Sequence, residues 1–583
     1  MKIQFLAAIV VLLPLLLDGQ GSPLQLDNDA YHIMDRLQIQ TGRRAPFHSA
    51  VKPFTRGAVT AYALSIDTAR VPISSMDRKD LYYIFRDNNE WLAGRPDMLT
   101  LGERRMQSLT QIQASMENAR YTESKKPFLK YFYPTPANFI EVNQPQFYLR
   151  ANPVVRFQLA GAKDDDQPIF ENLRGVSVRG GVDDRVYFTF TIHETQARFP
   201  GYVEERIARD GVIPGAGFKK IYRSNLFNIE NGFDYLNGDG SIGFNFTRHI
   251  GLQFGYGRQF LGDGYRSLLL SDFANNYLYL RLNWDLGRFH YQNLYAELAR
   301  DPRPAVSGEP IVKKYMAAHH LSIDLTDNLN FGIFETVVFS RNNQFEFHYL
   351  LPIILYRTVE QSLGSPDNVM IGFDGHWNFL RRFQLYGQLL FDEFKFNELF
   401  IEKRGWWANK VGGQAGLKYI DAFGLDHLDL QAEVNIVRPY TYSHDDKSAS
   451  YVHYNQPLAH PLGANFKESV LIARYKPVKR VQLQARLIMA SFGEDADTTN
   501  YGSNPILPNK LRESDYGNEI GQGIHANTVL FGFDAAYQVA HNLFFDLEFF
   551  TRKKDSEEDI RDTLDRYFGA GIRLNIGRRR MDF

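Results

Sequence analysis

The feature that most constrains this chain is a two-residue alternation of apolar and polar side chains that recurs from about residue 146 almost to the C-terminus. In the stretch 428–436, Leu, Leu, Ala, Val and Ile alternate with Asp, Gln, Glu and Asn. Successive side chains of a β-strand point to opposite faces, so this stretch predicts a two-faced strand. The same pattern recurs at 278–284, 481–489, 543–549 and 568–576.

The connections between these stretches alternate in length. Short polar turns are predicted at 183–184, 248–249, 286–287, 326–328, 381–382, 424–425, 477–478 and 540–541. Long segments rich in Gly, Pro, Asn and Asp lie near 196–240, 259–275, 299–313, 342–366, 396–409, 439–464, 493–525 and 554–564. The pattern predicts an all-β transmembrane barrel of about 18 antiparallel strands, with short periplasmic turns and long extracellular loops.

A soluble all-β protein such as a propeller is the alternative architecture, because its strands also alternate. Two features favour the membrane: strands of ~11 to 13 residues suit a tilted span, and aromatic residues, 14% of the chain, gather near strand ends. The mean hydropathy of -0.35 excludes a bundle of membrane helices. A net charge of -1 gives no reason to expect a nucleic-acid partner, and the absence of cysteine excludes disulfides and thiolate chemistry.

The N-terminus has the layout of a secretory signal peptide: one Lys, an apolar run through Leu17, and then a polar stretch. An uncleaved anchor is the alternative. We assign residues 1–22 to the signal peptide, 23–140 to a small helical periplasmic or plug-like unit, and 141–583 to the barrel. Apolar residues at helical spacing in 77–92 and 103–120 support the helical unit. The sequence thus predicts export to the outer membrane.

Three clusters of His and Asp residues are candidate metal sites. His319 and His320 with Asp324 lie on one predicted strand and span too far for one ion, so we interpret them as polar lumen residues. The acidic run 164–166 and the stretch 237–241 lack the spaced ligands of a calcium loop, and turns are the better interpretation. No metal or cofactor is expected. No G-x-S-x-G motif is present, so an enzyme is not expected.

Two carboxylates within predicted strands are candidates for holding the plug. Asp392 shares the parity of polar residues and should face the lumen, whereas Glu335 has lipid-facing parity. A charge in the bilayer is costly, so a bulge should turn Glu335 inward or place it at the interface. We hypothesise that both pair with Lys52 or Arg56 of the plug. Ordinary wetting of the lumen is the alternative.

Aromatic residues crowd two of the long loops. Aromatic rings stack on the C–H faces of sugars, and neighbouring Asp, Asn and Arg can bind hydroxyl groups. The candidate glycan-contacting residues are Trp406, Trp407, Tyr440, Tyr442, Tyr451 and Tyr454. Packing within the loops or against lipopolysaccharide is an alternative of similar weight.

Several motifs carry a family resemblance: 32–37, 47–56, 319–323, 332–338, 349–354, 366–368 and 386–393. On these the chain resembles the capsule-assembly Wzi family, in particular its Bacteroidetes branch with gliding-motility proteins of the RemB type. The resemblance implies an outer-membrane barrel with an N-terminal helical plug. One departure is the C-terminus, where alternation stops near Ile576 and Gly577–Phe583 follows.

The resemblance also implies a function. It indicates a surface lectin that holds exported capsular polysaccharide, or alternatively an adhesion, gliding-motility or secretion-associated component. A diffusion porin is a further alternative. The expected partners are outer-membrane lipid, lipopolysaccharide, a surface polysaccharide and other outer-membrane, gliding or secretion proteins.

Overall fold

The structure is a computed structural model that describes residues 21–583 except 70, 93–127, 130, 164, 184, 226–228, 304–307, 354, 365 and 497–498. Most of the predicted signal peptide (1–20), the predicted helical segment 103–120 and Asp164 therefore lie outside the described residues. Among the helices of the described part, none is long and apolar enough to cross a membrane.

Eighteen antiparallel strands close into one barrel, which confirms the predicted fold class. The last strand pairs with the first, from Tyr567 opposite Ala162 to Leu574 opposite Val155. The strands are β1 Phe147–Ala162, β2 Ile169–Val182, β3 Val186–Arg198, β4 Ile229–Asn245, β5 Ile250–Gly257, β6 Tyr277–Leu286, β7 Phe289–Ala299, β8 Lys313–Asp324, β9 Leu329–Phe339, β10 Asn368–Phe379, β11 Phe383–Glu393, β12 Lys410–Tyr419, β13 Leu428–Val437, β14 Phe466–Val478, β15 Val481–Glu494, β16 Ile524–Ala540, β17 Leu543–Ser556 and β18 Thr563–Leu574.

Short turns gather at one end of the barrel and longer connections at the other, as the sequence predicts. The long segment predicted at 196–240 is wrong in part, because β4 begins at Ile229 within it. The turn predicted at 237–241 is therefore wrong as well: Gly238 pairs with Ile192 and Gly240 with Phe190 in a regular ladder. A Cβ at Gly238 would lie 3.0 Å from the Thr191 carbonyl oxygen, so glycine allows the close approach.

The two faces of the barrel wall differ as predicted along β13. Outward residues such as Val434 and Ile436 are exposed, whereas inward Asp429 and Glu433 are buried. At the long-loop end the inward face is apolar instead. There Met316, Phe334, Met370 and Leu390 pack with Leu268–Leu270 of an inward-folded loop, so half of the expected polar lumen is a hydrophobic core.

In the described part of the N-terminal unit lie three helices: α1 Ala30–Thr41, α2 Arg56–Thr68 and α3 Ser75–Asp87. Helix α3 overlaps the predicted segment 77–92 but begins two residues earlier and ends at Asp87. It begins at a capping box in which Ser74 and Asp77 bond each other's backbone N–H. The unit contacts inward-facing wall residues on widely separated strands: Lys418 bonds Asp35 at 2.7 Å, and Arg179 bonds Glu90 at 2.8 Å. The helices therefore plug the short-turn mouth of the barrel.

The remaining described elements are short. Helices α4 Gly201–Asp210 and α5 Tyr356–Ser362 lie in long-loop connections. Two short strands extend the barrel sheet, Ile140–Gln144 along β1 and Lys220–Ser224 along β4. Two separate two-stranded sheets are formed by Val51–Lys52 with Phe260–Leu261 and by Val452–His453 with Gln456–Pro457. One-turn 3-10 segments lie at Asn89–Trp91, Phe347–Leu350, Ala422–Gly424, Lys447–Ala449, Asn509–Leu511 and Asp559–Arg561, and a π-helical turn lies at Asn397–Glu402.

Candidate functional site

The plug is fastened to the wall by a buried arginine on α1. The Arg36 guanidinium donates to Asp77 of α3 at 3.0 Å, to Asp421 of a short turn at 2.9 Å, and to Asp429 of β13. Only 3% of Arg36 is exposed. Three carboxylates on three separate elements therefore converge on one guanidinium, whose planar fork of five donors suits this geometry.

A second fastening lies at the C-terminal end of α3. Arg56 donates to the Asp87 carboxylate at 2.9 Å, and the same carboxylate accepts from the Asn542 amide at 2.9 Å in the turn before β17. The predicted pairing of Arg56 with a strand carboxylate is therefore wrong, because Arg56 is satisfied within the plug.

The other partners of that predicted pairing also lie elsewhere. Lys52 donates to the Gly262 carbonyl at 3.1 Å and lies over the Phe260 ring. Asp392 faces the lumen as predicted but accepts from the Tyr442 backbone N–H at 2.8 Å. Glu335 keeps its lipid-facing parity without a bulge and is covered by α5. The two carboxylates thus bind backbone groups of folded loops, which sequence spacing does not reveal.

Histidines near the plug bind carboxylates and hydroxyls. His320 bonds Asp374 at 2.6 Å, and His48 bonds Ser322 at 2.7 Å. His320, Ser322 and Asp324 face inward, as their parity predicts, while His319 faces outward. No cluster of three metal-ligating side chains is found in the part of the chain that the structure describes. In the acidic run, Asp165 pairs with Arg198.

Because His32 and His48 are largely buried, we expect the docking of the plug in the barrel to depend on pH. Burial lowers the pKa of His32 and His48 below the ordinary value of 6.5. Below pH 6.5 the undocked state therefore binds more protons than the docked state. Docking of the plug should thus become less favourable as pH falls from about 6.5. Burial raises the pKa of Asp77, but Arg36 outweighs it and the pKa is lowered. That carboxylate weakens docking further at more acidic pH.

Hydrogen exchange of α1–α3 at pH 8, 6 and 5 measures this effect, and protection should decrease stepwise. The His48→Gln variant should show a flatter profile between pH 6.5 and 5. Protection that increases on acidification would contradict the assignment.

Three of the six candidate glycan-contacting aromatic residues are buried inside the protein and do not lie at the loop surface. Tyr442 and Tyr451 are fully buried, and their hydroxyls donate to the carbonyls of Leu268 and Leu269 at 2.8 and 2.9 Å. Tyr440 is also fully buried and donates to the Asn500 carbonyl. The prediction that these three rings stack on an external glycan is therefore wrong. They are buried because the loop at 438–465 folds into the barrel mouth.

The remaining aromatics lie at the loop surface. Trp406 and Trp407 are half-buried, with ring centroids 6.3 Å apart. Lys395 lies over the Trp406 ring at 4.2 Å, and Arg512 lies over the Trp407 ring at 4.2 Å. Tyr454 is half-buried at a separate place, against His453.

The tryptophan pair is held between two long-loop connections. Trp407 N donates to the Asp515 carbonyl, and Asn518 N donates to the Gly405 carbonyl, both at 2.9 Å. Gly405 has φ 69°, and a Cβ there would lie 2.7 Å from Asn518 N, so the contact requires glycine. The result is a cross-braced platform that combines aromatic faces with cationic groups.

The C-terminal segment Gly577–Phe583 turns back into the lumen after β18 and occupies its centre. Arg578 bonds Asp546 at 3.2 Å, and Asp582 accepts from Arg486 at 3.0 Å. Arg579 contacts Glu171 and Tyr235. The sequence analysis does not predict a role for these residues. The run of three arginines where the alternation stops could have indicated a charged segment inside the barrel.

A polar cavity of about 560 Å³ lies between the plug and this tail. It is lined by charged side chains of both signs, among them Asp27, Arg474 and Arg580, and by neutral polar ones such as Gln484.

Comparison with known proteins shows the fold. The structure of Wzi, an Escherichia coli outer-membrane protein involved in group 1 capsule assembly and a carbohydrate-binding β-barrel, matches with a TM-score of 0.55 and 12% identity, over 96% of this chain and 100% of that chain. Pseudomonas aeruginosa OprD matches with a TM-score of 0.40 and 10% identity, over 73% and 94%. Acinetobacter baumannii OccAB2 matches with a TM-score of 0.40 and 10% identity, over 73% and 97%.

Neither protein-family models nor curated protein sequences match the chain. The likeness to Wzi spans nearly the whole of both chains, and at this identity it carries the fold. The chain therefore has the fold of a Wzi-like outer-membrane β-barrel.

Proposed function

We propose that this chain is a plugged, non-enzymatic outer-membrane barrel that holds a surface polysaccharide through its extracellular loops, as in capsule assembly. The observation that carries the proposal is the Trp406–Trp407 platform, which places two aromatic rings beside Lys395 and Arg512. Such a surface can stack on sugar rings while the cations bind hydroxyl or acidic groups. The Wzi-like fold supports the same function.

The filled lumen favours binding over transport. The helices α1–α3 occupy the short-turn mouth, the C-terminal tail occupies the centre, and a hydrophobic core occupies the long-loop half. A diffusion porin instead needs a continuous aqueous channel. A gliding-motility, adhesion or secretion role of the RemB type remains compatible with a loop surface that binds glycan or protein partners.

Replacing Trp406 and Trp407 with alanine should weaken polysaccharide binding by about tenfold or more, which corresponds to about 1.4 kcal/mol. The reason is the loss of both stacking surfaces from a platform whose backbone remains braced through Gly405 and Asp515. Binding of purified surface polysaccharide, measured with the protein in nanodiscs, tests this directly.

The matched control is Trp377→Ala, because Trp377 is 49% exposed on the outward face of β10, near the short-turn end. That variant should bind polysaccharide normally. Unchanged binding in the Trp406/Trp407 double variant would overturn the assignment of the site. A glycan array and co-purification from outer membranes would then separate an adhesion role from a secretion or gliding role.

A further inference from the structure

A row of polar residues lies on the outward face of the barrel. Asn293 of β7 pairs with His319 of β8, and His319 pairs with Glu335 of β9. All three alternate with inward-facing neighbours, and all three are less than a tenth exposed. A carboxylate on the lipid-facing side of a barrel is destabilising at membrane depth, so something must cover this row.

Membrane depth follows from the position of Glu335 along its strand. At about 3.3 Å per residue, Glu335 lies about 20 Å along β9 from Leu329 at the short-turn end. For a strand tilted by about 40°, this is about 15 Å along the membrane normal, inside an apolar band about 25 Å tall. The outward residues before it, Phe331 and Ile333, are apolar and exposed.

The loop between β9 and β10 covers the row from outside. The Glu335 carboxylate accepts from the backbone N–H groups of Tyr356 and Arg357 at 2.9 and 3.1 Å, at the start of α5. The Asn293 amide donates to the Pro352 carbonyl at 3.1 Å, and the Tyr356 ring lies 4.0 Å from the His319 ring. The loop thus hydrogen-bonds Asn293 and Glu335 and covers the His319 ring with that of Tyr356.

Beneath this cover the contacts are apolar. Val337, Phe339 and Val369 of the barrel wall pack with Tyr349 and Tyr356 of the loop. A segment held by such a cluster and by the Glu335 bonds lies against the outer wall of the barrel, and the described residues of the loop at 340–367 (all but 354 and 365) are therefore docked along β7–β10.

The outer surface of the docked loop is strongly apolar. Phe347 is 76% exposed, Ile353 82% and Leu355 65%, and Leu350 and Leu351 lie beside them. This surface continues the belt of outward apolar residues on the neighbouring strands, among them Phe331, Ile333 and Ile371. A contiguous apolar patch of this kind marks a membrane or protein contact, and continuity with the lipid-facing belt selects the membrane.

We propose that the loop between β9 and β10 is a re-entrant flap that inserts from the extracellular side into the outer leaflet, where Phe347, Ile353 and Leu355 contact lipid acyl chains. The sequence places the same loop among the extracellular ones. Glu335 is its anchor, because its carboxylate binds two backbone N–H groups that would otherwise face lipid unpaired. The flap is independent of the glycan platform on the other long loops.

The absence of cysteine allows a direct test with single-cysteine variants. A fluorophore attached at Ile353→Cys, in vesicles of phosphatidylcholine with brominated acyl chains, should be quenched several-fold more by the lipid than by aqueous iodide. Ile371→Cys on β10 is the lipid-facing control, and Glu513→Cys on an extracellular loop is the aqueous control. Iodide quenching at Ile353 equal to that at Glu513 would overturn the proposal.

The anchor has its own test in the same background. Glu335→Ala removes both acceptors of the Tyr356 and Arg357 N–H groups, so the Ile353 label should become several-fold more accessible to iodide while the barrel stays folded. Heat-modifiable migration on gels reports the folded barrel. Unchanged accessibility in a folded Glu335→Ala barrel would show that Glu335 does not anchor the flap.

Discussion

The Arg36→Ala variant is expected to release the helical plug from the barrel mouth, at a cost of about 3–5 kcal/mol in docking free energy. The guanidinium is buried and neutralises carboxylates on α3, on a short turn and on β13. Removing it leaves Asp77, Asp421 and Asp429 close together without their shared cation. Breaking a buried ion pair from one side is costly because the remaining charges cannot be solvated.

Arg78→Ala is the matched control within the same unit, because the Arg78 side chain is 44% exposed and lies 3.5 Å from Asp67. An exposed pair of this kind contributes about 0–1 kcal/mol. Hydrogen exchange and limited proteolysis of α1–α3 in the folded barrel should therefore change strongly for Arg36→Ala and little for Arg78→Ala. Equal protection of the two variants would contradict the central role of Arg36.

A double variant sharpens the test. If Arg36 acts through Asp429, combining Arg36→Ala with Asp429→Asn should cost less than the sum of the two single changes. The second change removes a buried negative charge that the first leaves unpaired. Additive costs would indicate that the two residues stabilise the plug separately.

Asp582→Ala is expected to detach the C-terminal tail and destabilise the barrel interior by about 3 kcal/mol. The Asp582 carboxylate accepts from Arg266 at 3.2 Å, from Arg486 at 3.0 Å and from the Tyr265 hydroxyl. Burial alone would raise the pKa of Asp582, but Arg266 and Arg486 lower it well below its usual value. The carboxylate is thus ionised and holds two cations in the centre of the lumen.

The functional readout of this variant is conductance. The tail lines the cavity beside the plug, so its release should widen this space and raise the frequency of ion-conducting events in planar bilayers. Ending the chain after Ile576 should give a larger effect in the same direction. Asp555→Ala is the control, because Asp555 is exposed and pairs with the equally exposed Lys553 at 3.1 Å. A tail-less, folded barrel that conducts no better than the parent would show that the tail does not seal the lumen.

Local periodicity explains why much of the barrel was predictable. Strand β13 follows the predicted stretch 428–436, and the inward position of Asp392 follows from its parity. These features depend on the pleat of the backbone, because successive side chains of a strand point to opposite faces of the sheet. Helix α3 was predictable for the same reason, from apolar residues at helical spacing.

The candidate site was less predictable, since it depends on where the long loops fold. Trp407 and Tyr440 both read as loop aromatics, yet one lies at the surface and the other is fully buried. Glu335 kept its outward parity, and only the docked loop explains how it is tolerated. Each of these outcomes rests on contacts between residues far apart in sequence.

The sequence by itself determined that this chain is a barrel, with its strand faces, its short-turn end and its N-terminal helical unit. Only the tertiary structure decided that the plug is fastened by Arg36, that Gly577–Phe583 occupies the lumen, and that one long loop lies against the outer wall. The physical reason is the separation in sequence between the residues that determine each feature. Strand alternation is set by adjacent residues, whereas buried charges and folded loops are placed by partners that lie tens to hundreds of residues away in sequence.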